Sequence, residues 1–444
     1  MIELVLAADE ITRLQATLLG GDTERCAILY VTQVSRADGT TRLLTREVQF
    51  ANDADYTRKG LLEAELKPEA VAWAAKRAKR ENMALVFVHS HPGSQTPFFS
   101  HVDSDGEEHL AAFLGKRHPD LIHAAMVISA GGLRARRLGT GEEIRVVSIG
   151  NNREVLFDPM HSQSAVSELF DRQIRAFGKA GQQALQRLRV AIVGLGGTGS
   201  LISQQLAHLG VLDFILIDPD IVEVTNLNRV ANAASSDVGA SKVEVAARYI
   251  RKLSEKAAVK CVKGDVMTAP TARELLTADL IFACTDSHGS RSVLQQVSYQ
   301  YLIPCIDMGV TIAINKGRIS HIYGRVQLLA PGLACLTCDG LLDPNEVRRD
   351  MMTEFERQSD PYLQGVREPA PAVMSLNSTV SSLAVTMLLA VATGIPMKGR
   401  HVLYNAILPS LRSARCEPKT DCYICSRSGS YARGDGWPLF ARES

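Results

Sequence analysis

A two-domain α/β protein is the fold class this sequence predicts, and three observations predict it. The chain has 444 residues, more than one ordinary core holds, since domains run to roughly 100–200 residues. Strand-like and helix-like segments alternate along nearly all of it, the pattern of sheets covered by helices. The alternation fades once, from Asn151 to about Val166, where Asn-Asn, Pro159 and several serines stand. The expected organisation is a first domain over residues 1–150, a linker over 151–165 and a second domain over 166–444.

In the first domain, Cys26 to Gln33 and Leu43 to Phe50 read as strands, and Pro68 to Glu81 as a helix opened by its proline. The apolar run Met83 to Val88, a helix from about Asp103 to Leu114 and a strand from His123 to Ser129 follow. After the linker the succession is stricter. Arg189 to Val193, Phe214 to Ile217, Leu280 to Cys284 and Pro304 to Met308 read as strands, with helices over Thr198 to Leu209 and Ser241 to about Leu253 between them. Such order implies a mostly parallel sheet with helices on its faces. The polar stretch Glu346 to Gln364 reads as a long mobile crossover, and the apolar stretch Ser382 to Gly394 as a buried helix.

Composition narrows the class of partner. Lys+Arg 49 against Asp+Glu 48 gives a net charge of +1, so no global field directs the chain to nucleic acid or an anionic membrane. Nine cysteines, an odd number, argue for reduced thiols or metal ligands over a fully paired disulfide scaffold. The start, with Glu3, Asp9 and Glu10 and no basic segment, does not resemble a secretory signal. The Ser382 to Gly394 stretch, interrupted by Thr386 and Thr393, falls short of the roughly 18–20 apolar residues of a membrane span. A cytoplasmic protein is expected.

Three constellations carry chemistry. In the first, His89-Ser90-His91-Pro92 ends an apolar strand, and after seven residues come Ser100 and then Asp103. Histidines two apart on a strand share a face. Two imidazoles and a carboxylate suit zinc with a fourth position left open, the mark of a catalytic site. Singly, each residue has a plainer reading, with the histidines structural and Asp103 a helix cap. This spacing resembles the JAMM motif of the JAB/MPN metallo-isopeptidases, over about residues 1–145. The resemblance implies a catalytic zinc on His89, His91 and Asp103, Glu24 as general base, and Ser100 stabilising the oxyanion.

The second constellation is Val193-Gly194-Leu195-Gly196-Gly197-Thr198-Gly199, a strand entering a helix through a glycine turn that lets backbone approach phosphate. Asp218 ends the next strand, where an acid binds ribose hydroxyls. Alone these would suit a nicotinamide dehydrogenase. Asp220, Asn226, Arg229 and Lys242 follow, with Cys284-Thr285-Asp286 and Arg291 further on. Together they resemble the ThiF/MoeB/HesA adenylating enzymes, relatives of ubiquitin-activating enzymes, over about residues 165–427. A triphosphate needs the added cations, since attack on its α-phosphate builds charge. The resemblance implies ATP with Mg²⁺ held by Asp286, and a homodimer in which Arg172 of the Arg-Gln-Ile segment reaches into the partner's site.

The third constellation is the pair Cys335-Leu-Thr-Cys338 and Cys422-Tyr-Ile-Cys425, suited to a closed four-thiolate zinc; one such unit alone would suit redox chemistry. Relatives that carry a thioester place a cysteine after the first pair. No cysteine occurs here between Cys338 and Cys416. The expectation is an enzyme that stops at the acyl-adenylate, with Cys416 or Ser375 as the competing covalent acceptors. Both resemblances point to a ubiquitin-like or sulfur-carrier protein ending in glycine. One half would cleave after that glycine and the other would adenylate it, for transfer to a sulfur donor or conjugating enzyme. Adenylation of a non-protein carboxylate, such as a modified tRNA base, and a non-catalytic binding module are the other readings.

Overall fold

The computed structural model describes residues 1–61, 63–160, 167–353, 356–357 and 370–443. Two compact units emerge. The first comprises Met1–Gln163 with Gln300–Leu302 and Ser430–Pro438, and the second comprises Ser164–Tyr299, Ile303–Gly429 and Leu439–Ser444.

In the first unit the order is β1 (Ile2–Ala7), α1 (Ala8–Leu18), β2 (Cys26–Ser35), β3 (Thr41–Phe50), β4 (Tyr56–Lys59), β5 (Ala64–Leu66), α2 (Pro68–Glu81), β6 (Ala84–His91), α3 (His101–Gly115), β7 (Ala124–Ser129), β8 (Gly132–Arg137), β9 (Arg145–Ile149) and β10 (Arg153–Phe157). Eight strands form one mixed sheet in the order β10-β9-β1-β3-β2-β6-β7-β8. Alternate residues of its strands feed two cores. Leu29, Val86, Val88 and Met126 meet Ile11, Leu14 and Leu18 of α1 on one face. Tyr30, Leu85 and Phe87 meet Ala74, Ala75 and Ala78 of α2 and Leu114 of α3 on the other. The period of two in the strands and the small alanine face of α2 are what let both helical layers close on the sheet.

Part of the expected linker is strand. β10 pairs antiparallel with β9, Arg153 opposite Ile149. Gly150 N–H donates to Asn152 O at 2.9 Å, so the Asn-Asn pair that read as loss of periodicity is the turn of a hairpin. Residues 161–165 of the expected linker lie outside the described residues.

The second unit runs α4 (Asp171–Arg187), β11 (Arg189–Val193), α5 (Gly199–His208), β12 (Asp213–Ile217), α6 (Lys242–Leu253), β13 (Ala258–Val262), α7 (Ala269–Glu274), β14 (Leu280–Ala283), α8 (His288–Gln300), β15 (Cys305–Asn315), β16 (Arg318–Leu329), α9 (Pro344–Met351), α10 (Met374–Thr393), β17 (His401–Asn405) and β18 (Ser410–Ser413). Its sheet has the order β13-β12-β11-β14-β15-β16-β17-β18. The first five strands are parallel, as their alternation with helices predicts. The last four are antiparallel, and that half is not in the sequence expectation. Its signal is the turn between β15 and β16, where Lys316 and Gly317 both have positive φ, 49° and 74°, the requirement of a tight two-residue hairpin.

α10 begins eight residues before the apolar stretch that announced it, and its 20 residues are by length and composition enough to cross a membrane. In the fold Val380, Ala384, Met387 and Leu388 are buried, and the helix packs on α4, α5, β15 and β16. The expected crossover begins as helix, since Glu346 to Met351 belong to α9. Its remainder lies mostly outside the described residues.

Candidate functional site

In the first unit β6 runs between β2 and β7, with Cys26 opposite His89. The chain entering β2 therefore brings Glu24 beside His91, Oε1 to Nε2 at 3.5 Å. α3 supplies the third side. Its cap is a reciprocal box: Asp103 N–H donates to Ser100 Oγ at 3.1 Å, and Ser100 N–H donates to Asp103 Oδ2 at 2.6 Å. That box fixes Asp103 with its Oδ1 3.3 Å from His89 Nε2 and its Oδ2 3.8 Å from His91 Nε2.

One ligand atom from each of His89, His91 and Asp103 lies within 4.8 Å of the others. His89 Nε2 and His91 Nδ1 are buried and, among the described residues, make no hydrogen bond. Three donors at about 2.0–2.1 Å from a zinc would stand roughly 3.3 Å apart, so the set fits a zinc with little adjustment. Glu24 is 6% exposed, and burial pushes its carboxyl up to about 7, against the pull of His89. Burial also raises the Asp103 carboxyl, but its interactions with His89 and Ser100 outweigh that and hold it below the usual range. Burial and neighbouring His89 lower the His91 imidazole. The arrangement offers two imidazoles, one carboxylate and a carboxyl poised near neutrality.

In the second unit a cavity of about 760 Å³ opens at the carboxyl ends of the parallel strands, where open α/β sheets bind ligands. Gly194, Gly196, Gly197, Asp218, Asp220, Asn226, Arg229, Lys242, Asp286 and Arg291 all line it. The glycines divide by role. Gly194 has φ +87°, which only glycine takes at low cost. A Cβ on Gly199 would stand 1.8 Å from Gly194 O, so Gly199 is needed for the close approach of α5 to β11. It is buried and outside the cavity lining. A Cβ on Gly196 would meet nothing within 4 Å. The open side of that residue leaves its backbone accessible in the lining of the cavity.

Asp218 is 4% exposed; its Oδ2 accepts from Leu195 N–H at 2.5 Å and its Oδ1 from Asp220 N–H at 2.8 Å. Burial raises its carboxyl above the usual range. The Lys242 ammonium donates to Asp220 Oδ2 at 2.7 Å, and Arg229 Nη1 donates to Thr225 O at 2.6 Å. Both cations are thus tied to the rim of the cavity. Asn226 accepts from Glu223 N–H at 3.0 Å, a local cap. Arg172 is exposed on α4 and is not among the lining residues of its own chain. Sequence reading missed Asn377 and the segment Ala370 to Ala372 in the lining.

Cys335, Cys338, Cys422 and Cys425 converge with all four Sγ atoms within 4.8 Å. Two of the separations are 3.6 and 3.5 Å. Sulfurs about 2.3 Å from a zinc have tetrahedral edges of about 3.8 Å, so the cluster fits a closed zinc site. Cys416 stands apart from it, with Sγ against Glu417 O at 3.7 Å. Burial, with Asp339 nearby, raises the Cys416 thiol, which does not favour a nucleophile.

Residues 170–424 match the ThiF family. The chain belongs to that family. This ThiF-family protein is 30% identical over 260 residues to the molybdopterin-synthase adenylyltransferase of Escherichia coli, covering 58% of this chain and 96% of that protein. It is 26% identical over 254 residues to the SAMP-activating enzyme E1 of Haloferax volcanii, covering 57% and 85%. It is 37% identical over 94 residues to the tRNA threonylcarbamoyladenosine dehydratase of Bacillus subtilis, covering 21% and 37%. The second unit of this ThiF-family protein carries an adenylyltransferase domain of the ThiF/MoeB type, and ATP with Mg²⁺ is the occupant its family implies.

Proposed function

We propose that the chain is a bifunctional enzyme acting on a ubiquitin-like or sulfur-carrier protein, activating its C-terminal carboxylate and cleaving after its C-terminal glycine. The observation that carries the first activity is one cavity holding the open glycine turn, Asp218, Arg229, Lys242 and Asp286. With ATP there, a carboxylate oxygen of the substrate attacks the α-phosphorus, the bond to the pyrophosphate oxygen breaks, and pyrophosphate leaves. Lys242, held by Asp220, and Arg229, held by Thr225, meet the charge that builds on the phosphoryl oxygens. Asp286 would hold Mg²⁺, which neutralises the triphosphate. The four cysteines would hold a structural zinc. With no cysteine between Cys338 and Cys416, the product is an acyl-adenylate passed to an external sulfur donor or conjugating enzyme. The homodimer belongs to the same reading, with exposed Arg172 reaching the partner's cavity, and so does a cytoplasmic setting.

The first unit is proposed as a JAMM-type zinc isopeptidase. His89, His91 and Asp103 would hold a zinc, which when bound polarises water and the scissile carbonyl. Glu24 takes the proton of the attacking water and passes it to the leaving amine, a task matched to a carboxyl near 7. Ser100, spent as acceptor in the cap of α3, keeps its O–H for the oxyanion. Maturation of a precursor is preferred over reversal of a conjugation.

A second reading rests on the likeness to the tRNA threonylcarbamoyladenosine dehydratase: a non-protein carboxylate in the same cavity. Incubation with ATP and either a diglycine-ended carrier protein or tRNA separates the two. Adenylated carrier detected by intact mass supports the proposal. Turnover with tRNA alone supports the second reading, and a DTT-sensitive adduct on this chain contradicts the adenylate-only scheme.

A further inference from the structure

A second helix start borders the glycine turn. α10 begins at Met374 after Val373, and among the described residues no side chain caps it. The Leu376 and Asn377 amides both return to Val373 O at 3.1 Å. The start of a long helix carries unpaired N–H groups and the positive end of its dipole, and Ala370 to Ala372, which lead into it, line the same cavity as Gly196 and Gly197.

Asn377, in the first turn of α10, adds an independent observation. Its residue is 6% exposed, and among the described residues its carboxamide has no hydrogen-bond partner. The carboxamide is one of the polar groups lining the cavity, so its donor is available to a ligand there. It faces the cavity, and its Nδ2 lies where a Cβ on Gly197 would come within 2.2 Å. The donor therefore sits directly against the turn that approaches phosphate. α10 is held there by packing on α5, with Ser381 Oγ donating to Thr198 O at 3.2 Å.

We propose that Asn377 is a phosphate-contacting residue of the nucleotide site, donating its Nδ2–H to a phosphate oxygen of ATP at the Gly196–Gly197 turn, with the uncapped start of α10 behind it. This rests on the adenylation reading. It adds a neutral donor, brought from a segment remote in sequence, to the cations at the rim. A neutral amide strengthens anion binding while leaving the rim charges free to respond to the departing pyrophosphate.

The test uses the full chain and calorimetric titration with Mg²⁺ and a non-hydrolysable ATP analogue, and separately with adenosine, which lacks phosphate. Asn377→Leu keeps the size of the side chain without the donor, and Asn377→Asp replaces the donor with an anion. The expected results are about a 10-fold rise in Kd for the analogue with Leu and about 100-fold or more with Asp, while adenosine binding and the melting temperature stay at wild-type values. Unchanged analogue affinity in a folded Asn377→Leu chain overturns the proposal. So does a loss of adenosine affinity in the same proportion, which marks a purely structural role. A wild-type chain that binds no analogue sinks the adenylation reading itself and this proposal with it, whereas binding by wild type and both variants alike sinks the proposal alone.

Discussion

Replacing Gly196 and Gly199 by alanine, one at a time, separates the part of the glycine turn that builds the fold from the part that meets the nucleotide. At Gly199 the new Cβ would lie 1.8 Å from Gly194 O, 2.9 Å from Gly194 C and 3.2 Å from Cys284 Cβ. Backbone lies on the other side of the contact, so helix and strand must part. Overpacking of this kind costs about 1–3 kcal/mol or more, which in a domain of roughly 150–250 residues lowers the melting temperature by about 3–10 °C. At Gly196 a Cβ meets nothing within 4 Å and φ is not positive, so the melting temperature should hold within about 2 °C. In the proposed nucleotide site the same methyl would occupy the space through which phosphate would reach the amides. Loss of one charge-assisted hydrogen bond, about 1.5–3 kcal/mol, raises the Kd of an ATP analogue about 10- to 100-fold. Differential scanning fluorimetry and calorimetry on the two full-length variants read both quantities. A Gly196→Ala chain with wild-type affinity would refute the assignment of the turn, and a Gly199→Ala chain with wild-type stability would refute the packing argument.

Metal content is expected near two zinc ions per chain by emission spectroscopy, falling by one in His89→Ala His91→Ala and by the other in Cys335→Ser Cys422→Ser; unchanged content in either variant contradicts that site. The first unit should lose stability on acidification through His123, whose Nδ1 accepts from Leu85 N–H at 3.1 Å and whose burial lowers it to about 4. Because the unfolded imidazole titrates near 6.5, the neutral folded form is stable above that pH, and about 3 kcal/mol is lost as the pH falls from about 6.5 to about 4. Both tryptophans, Trp73 and Trp437, belong to this unit, so urea titrations followed by fluorescence read it alone; a His123→Asn chain with the same slope would show the cause lies elsewhere.

Local features were legible in the sequence where one signal sufficed. The helix Pro68–Glu81 and the strand Arg189–Val193 fall where proline and apolar runs placed them. The cysteine pairs announced their cluster by spacing. The glycine turn was legible as a turn, but its division of labour was not: only packing shows Gly199 holding α5 against Gly194 while Gly196 stays open. The opening strand Ile2–Ala7 and helix Ala8–Leu18 escaped because a short apolar run followed by acids carries no turn residue between them. The antiparallel half of the second sheet was obscured by long strands whose exposed faces still hold Ile314, Ile319 and Tyr323, so no clean alternation marks them. Asn377 reaches the cavity from a helix far along the chain. Its only sequence signal is a polar residue in the first turn of an apolar helix, which capping would explain equally well.

ATP–pyrophosphate exchange on the full chain, with a diglycine-ended carrier protein as the acid and with Asp286→Asn and Lys242→Ala as controls, tests the account most directly. Exchange that depends on the carrier and falls at least about 100-fold in both variants, a loss typical of removing a charge-stabilising group, is the predicted result. Absence of exchange by wild type with either the carrier protein or tRNA, or exchange undiminished in both variants, would contradict it.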